Sequence, residues 1–156
     1  TGPQRRTQLI EIGRGLFALR GLDGTTLEEI AAAAGVSKPV IYEHFGSKEG
    51  LYTQVVECEF RILLSSINEA LSEEAKPRVL VERAALALLG YIEDRTDGFR
   101  ILMRDAPPSQ PEGAFSTLLS QVAARVEYIL ADEFARRGFT SADGAMYAQM
   151  LVGMVA

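Results

Sequence analysis

An all-α protein is what this sequence predicts: an N-terminal unit of three helices over residues 1–47, followed by a helical bundle over residues 48–156. Three observations carry that expectation. Apolar residues recur at three-to-four spacing along nearly the whole chain, and no stretch alternates with the period of two that a half-buried strand needs. Breaks fall at Gly21, Gly35, Gly46, Pro77 and Gly138, residues that end a helix or open one. The stretch from Thr25 to Lys48, TTLEEIAAAAGVSKPVIYEHFGSK, reads as two short helices joined by a tight turn.

The first helix runs from Arg5 to Arg20, with Leu9, Ile12/Gly13 and Leu16/Phe17 on one face and Gly21 as its end. Arg5 and Arg6 in its first turn are placed where they could meet phosphates or simply solvent. Thr26 opens the second helix, and Glu29, three residues on, completes a capping box. Ile30, Ala31 and Ala34 form its apolar face. Gly35 supplies a left-handed terminus, and Val36 the hydrophobic contact that follows one. Ser37 is placed to cap the third helix, with Pro39 in the first turn, where a missing N–H matters little. Ile41 and Phe45 point inward at i and i+4.

Ser47 caps a long fourth helix from Lys48 to about Leu71, with Leu51, Val55, Cys58, Ile62 and Ile67 inward and Phe60 and Leu63 widening the face. Ser72 to Pro77 is a polar linker. Arg78 to Asp94 is apolar nearly all round and therefore expected at the centre of a core. Asp97-Gly98 reads as a break ahead of a short helix from Phe99 to about Asp105. Prolines 107, 108 and 111 exclude regular helix over 106–113. Ala114 to Arg137 is the next long helix, and Ser141 caps a last one that holds Met146, Met150 and Met154. That helix is still in an apolar pattern at Ala156 with no stop signal, so a fragment or a chain lacking a C-terminal tail is expected, and the missing initial methionine fits a fragment.

Composition narrows the function classes. With 47% hydrophobic and 24% charged residues the chain is globular, not disordered. No apolar run approaches the length of a membrane span, and Arg5-Arg6 lead into an amphipathic pattern, unlike a signal peptide. One cysteine, Cys58, allows no internal disulfide, so a cytoplasmic location is the default. The net charge of −5 argues against indiscriminate nucleic-acid binding by the whole surface. Its distribution is uneven: Arg5, Arg6, Arg14, Arg20, Lys38 and Lys48 face five acids within the first 48 residues, leaving that end at +1 and the remainder at −6. A mildly basic head on an acidic body fits a protein that presents one end to DNA. His44 is the only histidine and has no partners at metal-ligand spacing; no nucleophile–base pair or phosphate loop stands out. No enzyme, cofactor or metal is therefore expected, and Cys58 reads as a small core residue.

A helix, a sharp turn at glycine and a short second helix with a polar outer face form the layout of a DNA-reading helix-turn-helix; a plain helical hairpin has the same spacing. The wording goes further. TTLEEIAAAAGVSKPVIYEHFGSKEGLY, within Arg6 to Tyr52, resembles the DNA-binding segment of the TetR (tetracycline repressor-like) family of bacterial transcriptional regulators. The resemblance implies an N-terminal helix-turn-helix DNA-binding domain followed by a helical ligand-binding and dimerisation domain. It also implies that Thr25, Thr26, Ser37, Lys38, Pro39, Val40, Tyr42, Glu43, His44 and Lys48 face the duplex. Physical roles follow from chemistry. Thr25, Tyr42, His44 and Lys48 would donate to phosphates, and Lys38 to guanine O6/N7. Val40 would pack on a thymine methyl, and Glu43 would either accept from cytosine N4 or point into solvent. Pro39, where the family often has glycine, and Glu43 are the departures.

Partners follow in the same way. One short recognition helix spans too few base pairs for useful specificity, so a homodimer on a palindromic operator is expected. Its interface would lie on the last helix, at Ala145, Gln149, Val152, Gly153 and Ala156. A small-molecule effector would sit in the bundle, with Tyr91, Phe99, Met103, Phe115, Tyr128, Phe134, Met146 and Met150 either lining a cavity or forming plain core. The competing reading is a non-DNA-binding helical ligand carrier or adaptor.

Overall fold

In the computed structural model, which describes residues 2–105, 114–138 and 140–155, eight helices follow one another and no strand occurs among the described residues. They are α1 (Gly2–Arg20), α2 (Leu27–Ala34), α3 (Lys38–Phe45), α4 (Lys48–Ala70), α5 (Pro77–Asp94), α6 (Thr96–Arg104), α7 (Ala114–Arg136) and α8 (Ser141–Val155). The all-α architecture and the element order are those expected. The proline-rich segment 106–113 lies outside the described residues.

The N-terminal helices form for local reasons. Thr26 Oγ1 accepts from the Glu29 N–H at 3.2 Å, while the Thr26 N–H donates to Glu29 Oε2 at 3.0 Å, so the capping box is complete. Thr26→Ala is expected to lower the unfolding free energy by about 1 kcal/mol; a urea titration of the two proteins checks it. At the other end of α2, Gly35 takes φ 64°, and the Val36 N–H reaches Ala31 O at 3.0 Å while that of Gly35 reaches Ala32 O at 3.2 Å. This 6→1, 5→2 pair closes the helix at a position where a side chain would be strained. Ser37 has the extended backbone of an N-cap, but its hydroxyl makes no capping bond. Ser47, by contrast, accepts from the Gly50 N–H at 2.9 Å and starts α4.

One continuous core runs from Leu9 on α1 to Leu102 on α6, through Phe17, Ile30, Ile41, Leu51, Val55, Leu63, Leu80 and Leu88. The Phe17 ring meets Tyr52 edge-on, with centroids 5.0 Å apart. A second, smaller cluster joins Val126 and Leu130 of α7 to Ala148 of α8, with Val81, Val122, Phe134 and Leu151 around it. Among the described residues the α7–α8 pair is thus packed mainly on itself, and Val122 belongs to the surroundings of both clusters.

Two expectations need correction. α5 is not central: it buries Leu80, Ala84, Leu88 and Tyr91 on one face, and Leu86 and Leu89 on the other are exposed. An all-round apolar pattern says that each face is suited to burial, not that one chain covers both. Asp97-Gly98 does not break the chain; both residues lie in the first turn of α6. Gly98 is needed there for space, since a Cβ on it would stand 2.0 Å from Glu59 Oε2 and 2.7 Å from the Tyr91 hydroxyl.

Candidate nucleic-acid interface

α3 is eight residues long and contributes only Ile41 to the fully buried core. Phe45 is half-buried beneath Arg6, whose guanidinium carbon lies 5.1 Å from the ring centroid. The rest of the helix is turned outward. Ser37, Lys38, Pro39, Tyr42 and Glu43 are exposed; Val40, His44 and Lys48 are half-buried at its edges. Successive outward positions three and four apart give one continuous face. With no capping bond of its own, the Ser37 hydroxyl stands at the start of that face.

Several side chains are already engaged. Lys38 forms an ion pair with Glu28 across the α2–α3 turn. The hydrogen bond and charge of Glu28 raise the lysine's pKa, and Lys38 in turn lowers that of Glu28, so each holds its partner in the charged form. Arg20 pairs with Glu29, the residue that completes the α2 cap. Arg6, a candidate for phosphate, donates to Gln54 Oε1 at 2.7 Å, which ties the start of α1 to α4.

Thr25 departs from the expected role. Its side chain is fully buried, and its hydroxyl donates to Gly21 O at 2.8 Å, satisfying a carbonyl left open at the end of α1. That hydroxyl is therefore withheld from a phosphate. Thr26, next to it, is exposed and occupied with the cap. The structure brings Ser37, Lys38, Pro39, Val40, Tyr42, Glu43, His44 and Lys48 to one end of the molecule, and places Thr25 behind them.

The residues proposed for a ligand pocket are not gathered into one place. Tyr91 is buried, and its hydroxyl donates to Glu59 Oε2 at 2.8 Å. Phe99 packs half-buried against the main core. Phe134 belongs to the α7–α8 cluster and stacks on Tyr147 at 5.5 Å. Met103, Tyr128, Met146 and Met150 are exposed in the single chain. The Phe115 side chain is outside the described residues. An open groove lined by Ser66, Glu69, Ala70, Glu73 and Arg83, between α4 and α5, includes none of them. Of the residues expected at a dimer interface, Val152 is buried, Ala145 half-buried, and Gln149 and Gly153 exposed; Ala156 is outside the described residues. No group of three His, Cys, Asp or Glu that could hold a metal occurs among the described residues, and none of their helices is long and apolar enough to cross a membrane.

Sequence reasoning missed a buried polar cluster between α1, α4, α5 and the α5–α6 corner. Glu59 on α4 is 0% exposed. Arg95, the single residue between α5 and α6, grips it with Nε at 3.0 Å from Oε2 and Nη2 at 2.6 Å from Oε1. Arg14 of α1 approaches Oε1 at 3.6 Å. Glu11 of α1 accepts from Arg95 at 3.1 Å and from Arg14 at 2.7 Å. Burial works against ionisation of Glu11, but the bonds from Arg14 and Arg95 outweigh it and hold its carboxyl below the usual range. Burial and the Glu59 charge push the Tyr91 hydroxyl far up, so it stays a donor. The signal was present in register: Glu59 lies four residues after Val55 and four before Leu63, on the buried stripe of α4.

Comparison with known proteins places this geometry. Residues 9–55 match the family model described as "Bacterial regulatory proteins, tetR family". The HTH-type transcriptional activator FasR of Mycolicibacterium smegmatis is 34% identical over 111 residues, 71% of this chain and 51% of that protein. The nucleoid occlusion factor SlmA of Alteromonas mediterranea is 26% identical over 152 residues, 95% of this chain and 78% of that protein. The crystal structure of a TetR-like transcriptional regulator from Rhodococcus sp. RHA1 matches with a TM-score of 0.71 at 22% identity, covering 97% of this chain and 86% of that one. At that identity the likeness is one of fold. The chain spans about half the length of FasR.

Proposed function

This chain belongs to the TetR family of bacterial regulatory proteins, and on that premise we propose that it is a cytoplasmic, sequence-specific transcription regulator that binds double-stranded DNA as a homodimer. The observation that carries this reading is the outward face of α3, a short helix pinned by Ile41 and presenting Ser37, Lys38, Pro39, Tyr42 and Glu43 together. Ser37, Tyr42, His44 and Lys48 set register on phosphates, with the N-terminus of α4 favouring the same anions. Lys38, Val40 and Glu43 read base edges, and Pro39 stiffens the entry to the helix. Lys38 must exchange Glu28 for its base, so the pair lowers the affinity of a head that meets no acceptor there.

Two reading heads one turn of DNA apart require a dimer. The exposed apolar residues Tyr128 of α7 and Met146, Met150 and Met154 of α8 support an interface on that side. Occupancy of a site overlapping a promoter represses it, which is the mode we assign here. A small apolar effector held in the bundle would release the DNA through its differential affinity for the two states.

Selection of bound duplexes from a random pool tests the reading, because it yields the half-site directly. Lys48→Ala should weaken binding to the selected site about tenfold and flatten the dependence of log affinity on log salt by about one unit per half-site. Tyr42→Ala should weaken it similarly. Failure to enrich any palindrome, or indifference to both substitutions, would leave a helical ligand-binding module in its place.

A further inference from the structure

We propose that Glu59 is a positioning residue for DNA reading: through Arg95 and Arg14 it locks the α5–α6 corner, α4 and α1 into one block, so that the place of α6 in the body fixes the attitude of the reading head. This rests on the DNA-binding reading above, and it assigns the mechanical joint that the reading leaves open.

The geometry of α6 carries it. At its N-terminal end, Arg95 is at once the C-cap of α5 and the N-cap of α6, and it holds carboxylates on two other helices, Glu59 of α4 and Glu11 of α1. One turn on, Gly98 lets the α6 backbone close over the Glu59 carboxylate and the Tyr91 hydroxyl with no room for a methyl group. At its C-terminal end, Arg104 Nη1 donates to Phe17 O near the end of α1 at 3.1 Å, and Asp105 accepts from the Tyr52 hydroxyl of α4. α6 is therefore fastened to α1 and α4 at both ends.

A fully buried carboxylate tolerates little loss of its partners. The corner cannot drift away from α4 and leave Glu59 behind, and Arg95 cannot shift without dragging Glu11 and α1. Displacement of α6 must move α1 and α4 with it; α1 packs on α2, α4 packs on α3, and all four share one core. Among the described residues, α7 and α8 on the far side have a cluster of their own, joined to the main core through Val122. A signal from the α7–α8 side would thus reach the DNA as a rigid rotation of α1–α6, with α4 one part of the moving block.

The test separates positioning from mere stability. Pools of paired half-sites with spacers varied by single base pairs are selected with the wild-type chain and with Glu59→Gln and Arg95→Lys, both of which keep polar side chains in the site. The ratio of affinities between the preferred spacing and one base pair longer should fall at least threefold in each variant. Leu63→Ala, a core change outside the cluster, should keep the wild-type ratio when compared at equal fraction folded. If Glu59→Gln does not fold, Glu11→Gln, at the half-exposed α1 carboxylate, should give a smaller relaxation in the same direction. Unchanged ratios in the variants overturn the proposal. Hydrogen exchange on the wild type gives a second arm independent of DNA: residues 11–20 of α1 and the whole of α6 should open together with one free energy, and Glu59→Gln should make them open separately. Independent opening in the wild type overturns the joint. Coupled opening with no paired half-site enriched upholds the joint and overturns the dimeric DNA reading.

Discussion

Arg95→Ala is expected to lower the unfolding free energy by about 3–5 kcal/mol, a large part of what a domain of this size possesses. The cause is what the substitution leaves behind. Glu59 is fully enclosed, and Arg95 supplies both of its closest cationic contacts. Without the fork, the carboxylate keeps the Tyr91 hydroxyl at 2.8 Å and Arg14 at 3.6 Å, which is too long for a hydrogen bond. Glu11 loses a partner too, but it is half-exposed and water replaces the contact. The expectation has an internal check, because the damage is a stranded charge and not a cavity. Adding Glu59→Gln to Arg95→Ala should therefore recover about 1–2 kcal/mol, so that the double variant is more stable than Arg95→Ala alone. Urea unfolding of the four proteins measures the cycle. Additive losses would mean that Glu59 is adequately satisfied by its other neighbours.

This cluster also marks where the sequence stops being readable. The helix-turn-helix was legible because its determinants are local: Thr26 with Glu29, Gly35 with Ala31, and Ser47 with Gly50 all act within five residues. Glu59 was legible only as an acid on a buried stripe. Its partners lie 32 and 36 residues away on α5 and at the α5–α6 corner, and no local rule connects them. Gly98 was misread for the same reason. A glycine required by a tertiary contact looks, in sequence, like a glycine that ends a helix. The family resemblance puts Thr25 on the duplex, whereas its hydroxyl serves the preceding helix. The methionines and aromatics of α6 to α8 show a further limit. A stripe at helical spacing says that a face is apolar, and Met103, Tyr128, Met146 and Met150 are apolar residues that the single chain leaves outside. The positions Pro39, Val40 and Glu43, which we propose read bases, could be placed on the outer side of α3 from sequence, while the pairing of Lys38 with Glu28 depends on how α2 and α3 cross.

Ile41→Ala should abolish reading by α3 while leaving the body of the protein folded. An isolated helix of eight residues is not stable in water, so α3 persists through what it buries. Ile41 is its one fully enclosed side chain, in contact with the core that includes Ile30 and Phe17; Phe45 is only half-buried. Truncation removes three carbons from a site with no access to solvent, at about 2–5 kcal/mol. Most of that loss should appear locally, because α4 and α1 retain the rest of the core through Leu51, Val55, Leu9 and Phe17. The α3 amides should then exchange at least tenfold faster than in the wild type, with those of α4 and α5 changed much less. Affinity for the selected DNA site should fall by more than tenfold at a temperature where the near-ultraviolet signal of the tyrosines is still native. Ile41→Val, which keeps the branched shape and costs about 1 kcal/mol, should retain most of the affinity. Wild-type affinity in Ile41→Ala would show instead that Phe45 and the two flanking glycine turns suffice to hold the recognition helix in place.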